Sequence, residues 1–337
     1  MEQQAYQNFY SQQMHYPQNQ YQNGDHYLQQ SFQQNQSYAM QDNTQSVCVG
    51  EAKVEYTEFE NLANYPPGTD LMALFERIKA EFENSDWTRN FAAIDSLRTL
   101  NKYYPNEISG IFANYGTYIH TALTSIKPYI AKNILVFVIE VLQGAKTSGL
   151  DRQIVVALIP ILVQKTGTGN KSLQTIAEKA LQVIVFNCLC DEVIQAFCIN
   201  SATKNKTANK KSFFYLVASI DAIKENISQL NAETLKIIFQ CMAFALLSDC
   251  AENKTYAKQI LGYVRNLMGN DNFFAYVTQL YQSGCVTMAQ GEALVKAVEV
   301  KGQRKSLADA LKEVKAMDPY HMQRSMPNLN YTQGQGF

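Results

Sequence analysis

At 337 residues and a formal net charge of −1, the chain is long enough for one large helical domain or two small ones, and its charge balance singles out neither nucleic acid nor membrane as a partner. Its longest apolar runs, such as residues 154–163, fall well short of the roughly 18 residues that span a bilayer, so no membrane insertion is expected. Seven cysteines without a Cys-x-x-Cys pair, and a polar N-terminus without a secretory leader, predict a reduced cytoplasmic protein.

Residues 1–52 contain no Lys or Arg and are dominated by Gln, Asn, Tyr and Ser. They hold too little aliphatic surface to offset chain entropy and are predicted to be a disordered tail. Residues 53–69 read as a polar linker, ended by Pro66, Pro67 and Gly68, and a folded domain is expected over 70–318. A second disordered tail is expected over 319–337.

Within the domain, apolar residues recur at three- and four-residue steps, the mark of amphipathic helices. Leu71, Leu74, Ile78 and Phe82 form a first stripe; Asp86 then offers an N-cap to a helix carrying Ala93, Leu97 and Leu100. A second hairpin divides at Lys127-Pro128, where proline suits a first helical turn, and continues with Ile130, Ile134, Phe137 and Val141. In the third, residues 154–163 are apolar on every side, predicting a helix covered by its neighbours, and Leu173, Ala177, Leu181 and Ile184 line its partner. A fourth hairpin carries Phe213, Leu216 and Ile220, and a fifth carries Leu235, Ile238, Met242, Ile260, Leu261 and Val264.

The turns near Asp86, Lys127, Gly169, Thr207 and Glu252 are spaced by roughly forty residues, the period of HEAT-type helical hairpins. An all-α solenoid of about five such hairpins follows, closed by amphipathic capping segments near 273–281, 289–300 and 307–314.

Catalytic chemistry finds no footing. Gly167-Thr168-Gly169-Asn170-Lys171-Ser172 lacks the glycine directly before lysine, and the preceding strand, that a phosphate loop needs. No two of His15, His26, His120 and His321 have metal-ligand spacing, and no Ser, Cys or carboxylate stands in a nucleophile or acid/base context, so neither an enzyme nor a cofactor nor a metal is expected. The glycosylation patterns at Asn205 and Asn253 are discounted for a chain without secretory targeting. The turns themselves are biased: Trp87, Lys127, Lys132, Lys165, Lys171, Lys204, Lys206, Lys210, Lys211, Lys254 and Lys258 fall at or near them, with few acids between. Stacked hairpins align such turns along one edge, giving a basic ridge led by the only tryptophan, suited to an acidic protein surface. Two alternatives stay open: the lysines serve solubility, or Trp87 plugs the core.

Ser85-Asp86-Trp87-Thr88-Arg89 with Ala93, Leu97 and Leu100, and Leu158-Ile159-Pro160-Ile161-Leu162-Val163-Gln164-Lys165 with Asn170-Lys171, resemble the first and third repeats of the TOG domain, the tubulin-binding HEAT array of CLASP, crescerin and related microtubule regulators. The likeness covers about residues 68–270. It implies that Trp87 is an apolar anchor on one tubulin subunit. It likewise implies basic contacts to the tubulin heterodimer or microtubules from Lys127, Lys165, Lys171, Lys206, Lys210, Lys211, Lys254 and Lys258. Lys127-Pro128 departs from the family's usual second turn. The resemblance implies a non-catalytic cytoskeletal protein at a spindle or cilium, with other cytoskeletal or ciliary partners. The alternative is a HEAT-repeat adaptor for another acidic protein, its tail mediating assembly. Nucleic acid is not the expected partner, since the ridge lacks the Arg and aromatic alternation of a base-stacking groove.

Overall fold

Short polar side chains start most of the helices, at the places where the apolar periodicity breaks. Asp70 opens α1 (Leu71–Glu83) by accepting from the backbone N–H groups of Met72 and Ala73, and Asp86 opens α2 (Trp87–Tyr103) by accepting from that of Thr88. Each satisfies helix-end donors that would otherwise lack partners. After α3 (Ile108–Thr124), Pro128 takes the first position of α4 (Pro128–Ser148), where its missing N–H costs no hydrogen bond. Asp151 caps α5 (Arg152–Thr166), Asn170 caps α6 (Lys171–Asn187), and Asn205 caps α8 (Lys206–Ala222), which follows α7 (Asp191–Asn200). Asn231 caps α9 (Ala232–Leu247). At the end of α10 (Ala251–Met268), Gly269 takes φ +79°, and this left-handed residue reverses the chain directly into α11 (Asn270–Gln282). Thr287 and Gln290 form a capping box at the start of α12 (Met288–Ala297).

This computed structural model describes residues 56–148, 151–224 and 229–298. The expected tails, 1–52 and 319–337, and the amphipathic segment 307–314 lie outside the described residues.

Consecutive helices pair as hairpins, and the hairpins stack in two layers. One layer holds α1, α3, α5, α7 and α9; the other holds α2, α4, α6, α8 and α10. The buried stripes are those of the periodicity: Leu97, Ile134, Phe137, Leu181, Ile184, Phe213, Leu216, Ile238, Ile260 and Leu261 are fully enclosed. No hairpin could enclose both of its apolar faces alone, so the stack is the smallest stable arrangement. The pair α11 and α12 closes the far end, with α12 against α9 and α11 against α10.

Two expectations need correction. Helix α5 is not covered on every side: Ala157 and Gln164 are exposed, and Pro160 and Ile161 are half-exposed. Its buried stripe is Val155, Val156, Leu158, Ile159, Leu162 and Val163. Pro160 therefore stands on the open face, where its ring meets the least packing.

The second concerns the linker, which is packed from residue 56 onward. Tyr56, Phe59, Leu62 and Tyr65 recur at every third position, and all four turn inward, with Leu62 buried and the others half-buried. Residues 56–69 run as a strap along α2. Lys102 Nζ donates to the carbonyls of Glu60 (2.8 Å) and Leu62 (2.9 Å), the Tyr103 hydroxyl donates to Leu62 O (2.7 Å), and the Tyr65 hydroxyl to Ser96 O (3.4 Å). Lysine and tyrosine side chains here satisfy strap carbonyls that no helix or sheet serves.

Between α2 and α4 lies a polar knot that the apolar stripes gave no reason to expect. Arg98, 2% exposed, donates to Glu140 from Nη2 at 2.7 Å and from Nε at 3.0 and 3.1 Å, and from Nη1 to Asp95 at 3.2 Å. Asn133 donates to Asp95 Oδ1 at 3.0 Å and to Phe91 O at 3.3 Å. Two carboxylates share one guanidinium, so burial pushes the pKa of both Asp95 and Glu140 upward despite the arginine.

Candidate functional site: the edge of intra-hairpin turns

The five turns inside the hairpins, at 84–86, 125–127, 167–170, 201–205 and 248–250, share one edge of the stack. At the first, Asn90 Nδ2 donates to the carbonyls of Glu81, Phe82 and Asn84 at 2.9 to 3.1 Å, closing the end of α1. Asp86 accepts from both the backbone N–H and the hydroxyl of Thr88, bonds that hold its pKa below the ordinary carboxylate value. Trp87, next in the chain, is half-buried, its indole tilted against the Tyr129 ring with centroids 5.9 Å apart. The indole thus packs partly on the core and stays partly open to solvent.

The second turn contributes what the sequence reading missed. Ile126 stands 96% exposed between Ser125 and Lys127, and Ser125 Oγ accepts from the Lys127 backbone N–H at 3.1 Å. An isoleucine presented in this way, beside a half-exposed tryptophan, makes the first two turns an apolar end. A lone large apolar residue in a polar turn was the available signal.

Farther along, the edge turns basic, but its lysines are not equivalent. Lys165 is half-buried and its Nζ points to Ser125 O at 3.5 Å; burial depresses its pKa, and it ties the third turn to the second. At Gly167 a Cβ would sit 2.7 Å from Asn205 Nδ2, so glycine lets the third and fourth turns close on each other. Lys171, Lys204 and Lys206 are exposed and form no ion pair with described residues. Lys127 is exposed on the second turn.

Lys210 and Lys211 differ. Lys210 is paired with Glu252 of the next hairpin, which raises its pKa, and Lys211 is 2.8 Å from Glu178 of the previous one. The expectation of few intervening acids is therefore corrected, because Asp86, Glu178 and Glu252 all reach into the ridge. Water screens pairs this exposed, so an acidic partner would displace them at little cost. Lys258 stands seven residues into α10, about 10 Å from the turn, on the helix flank rather than at the edge. Lys254, three residues into α10, is half-exposed.

An asparagine ladder sets the register of the last two turns. Asn209 donates to Ser201 O, and Asn253 Nδ2 donates to Asn209 Oδ1 at 2.5 Å. Asn253 is 2% exposed and Asn205 caps α8, so both glycosylation-pattern asparagines are committed within the fold. The Gly167–Ser172 sequence joins two helices, and among the described residues no strand precedes it. His120 is exposed on α3, and no group of three or more His, Cys, Asp or Glu among the described residues is placed to hold a metal.

Neither the family models nor the curated proteins give a match to this sequence. Solved structures do. The TOG domain of Zyg9 from C. elegans superimposes with a TM-score of 0.50 at 14% identity, over 76% of this chain and 92% of that one. The fold is that of a TOG domain. Drosophila melanogaster Mini spindles TOG3 is similar at 17% identity with a TM-score of 0.44, over 69% of this chain and 97% of that one. The edge described above is therefore the row of intra-hairpin turns of a TOG fold, with the apolar residues at its N-terminal end and exposed lysines in its middle.

Proposed function

We propose that this TOG-fold chain is a non-catalytic tubulin-binding protein that uses the turn edge to engage a tubulin heterodimer or microtubule end, and so acts on microtubule assembly in the cytoplasm. The observation that carries this reading is the pair of apolar groups at the first two turns, half-buried Trp87 and exposed Ile126, on one edge with the exposed lysines Lys127, Lys171, Lys204 and Lys206, which form no ion pair with described residues. Apolar anchors with charged neighbours supply affinity at the anchors, and orientation and on-rate from the charges. Tubulin is acidic, so the sign of the lysine stretch suits it. A single edge suits capture of a dimer. Lys165, Lys210, Lys211, Lys254 and Lys258 join the contact as secondary members, Lys210 and Lys211 by exchanging their internal carboxylates for tubulin's.

Gel filtration of the full chain with purified tubulin tests the reading directly. Co-elution is expected for the parent, and its loss for Trp87→Ala with melting temperature retained. A parent protein that never co-elutes would leave the adaptor for another acidic protein as the function, and a Trp87 variant that co-elutes as the parent does would remove the indole from the contact.

A further inference from the structure

Tyr56, the first described residue of the strap, lies at the apolar end of the edge. The Tyr56 hydroxyl donates to Tyr129 O at 3.3 Å, its ring meets Phe91 edge-on with centroids 5.3 Å apart, and Lys132 Nζ sits 4.6 Å above its centroid. These three partners belong to the two helices that hold the indole. Phe91 lies one helical turn beyond Trp87 on α2, and Tyr129, whose ring the indole leans against, is the second residue of α4. Lys132, read from sequence as part of the ridge, is half-buried and directed to the Tyr56 ring instead. An ammonium over an aromatic face is held by the ring quadrupole, and the contact strengthens as water is excluded.

Lys102 and Tyr103, at the far end of α2, tie down Glu60 and Leu62 in the middle of the strap, and Tyr65 returns to Ser96 at the middle of the helix. Residues 56–65 are thus fixed along the helix that carries the anchor, and Tyr56 bridges α2 to α4 beside it.

We propose that Tyr56 is a positioning residue for the binding edge: by clamping the start of α4 to α2 it fixes the Tyr129 ring and, through it, the orientation of the Trp87 indole toward the partner. The clamp needs no contact with the partner itself. Its effect on recognition rests on the tubulin reading above, whereas its effect on the indole does not. One hydroxyl bond at 3.3 Å is a modest hold, so the ring's contacts with Phe91 and Lys132 carry more of it.

Trp87 is the only tryptophan in the chain, so its emission reports the site without labelling. In the full chain free of tubulin, Tyr56→Ala should shift Trp87 emission to the red and increase its quenching by acrylamide. The same variant should bind tubulin at least about fivefold more weakly, a fraction of the loss expected from deleting the anchor. Tyr56→Phe should do the same to a smaller extent with melting temperature unchanged, which a purely structural tyrosine would not do. Emission, quenching and affinity all at parent values in Tyr56→Ala, while Trp87→Ala loses binding, overturn the proposal and leave the tubulin reading standing. Binding by Trp87→Ala at parent strength removes the indole from the contact and overturns the effect on recognition, and the emission of the Tyr56 variants then decides alone whether the clamp positions the indole. If Tyr56→Ala does not fold, Tyr56→Phe carries the test, and a parent-like spectrum in that variant overturns the proposal.

Discussion

Ile126→Ser separates recognition from folding more cleanly than any other substitution on the edge. The isoleucine is 96% exposed, so truncating it removes no packing and opens no cavity. The stability change should stay within the ordinary range for surface substitutions, about ±0.5 kcal/mol. If tubulin covers the side chain, its transfer out of water contributes about 1.5–3 kcal/mol, and losing it weakens binding by about 10- to 150-fold. The contact is apolar, so the ratio of parent to variant affinity should be the same at low and high salt, unlike the ratio for any lysine variant. Biolayer interferometry with immobilised full-length protein, at two salt concentrations, measures both ratios, and a urea titration supplies the stability. Parent-like affinity in Ile126→Ser would refute the argument that the second turn is an apolar contact. A salt-dependent loss would show that the substitution acts on the charges around it instead.

Three further outcomes follow from the same geometry. Charge reversal of Lys171 and Lys206, exposed and without an ion pair to described residues, should weaken tubulin binding and flatten its salt dependence; reversal of Lys210, already opposed by Glu252, should do less, and equal effects would show that the internal pair does not shield it. Arg98→Met leaves nearly enclosed Glu140 and half-buried Asp95 without their cation and should cost about 3 kcal/mol of stability at neutral pH; chemical unfolding measures it, and a cost near zero would mean that the knot is dispensable. Burial raises the Asp95 and Glu140 pKa values, so the folded chain retains their protons to higher pH than the unfolded chain does. Their contribution therefore grows as pH falls from neutral toward the ordinary carboxylate range and is lost as pH rises through the folded values; Asp95→Asn should flatten that slope, and an unchanged slope would refute the assignment.

The hairpins were legible because helix periodicity and capping chemistry act locally. Leu97, Leu181 and Ile260 announce their burial through neighbours three and four residues away, and Asp86, Asn170 and Asn205 mark the starts of their helices. Features that depend on distant partners were not legible in that way. Arg98 meets Glu140 across 42 positions, and its only local sign is a charge in register with Phe91 and Ile94 on a buried face. The strap was read as a linker because Pro66, Pro67 and Gly68 stop a helix, yet its inward residues keep a three-residue period, which a short 3-10 turn at Phe59–Asn61 supplies in part.

The same distinction governs the edge. Counting lysines near turns finds a basic ridge but assigns equal weight to side chains whose charges differ in availability: Lys210 and Lys211 face carboxylates, Lys165 is half-buried, Lys132 is over an aromatic ring, and Lys171, Lys204 and Lys206 face water. Charge available to a partner is what remains after internal pairing, and here it is concentrated at the third and fourth turns. The apolar contribution is concentrated at the first and second. A partner that fits should therefore offer an apolar recess at one end of its footprint and carboxylates toward the middle; in the reverse order its carboxylates would meet Ile126 and Trp87 with Lys127 as the one ridge lysine beside them, and its recess would cover Lys171, Lys204 and Lys206. The edge thus has a polarity, which favours one direction of docking over the other.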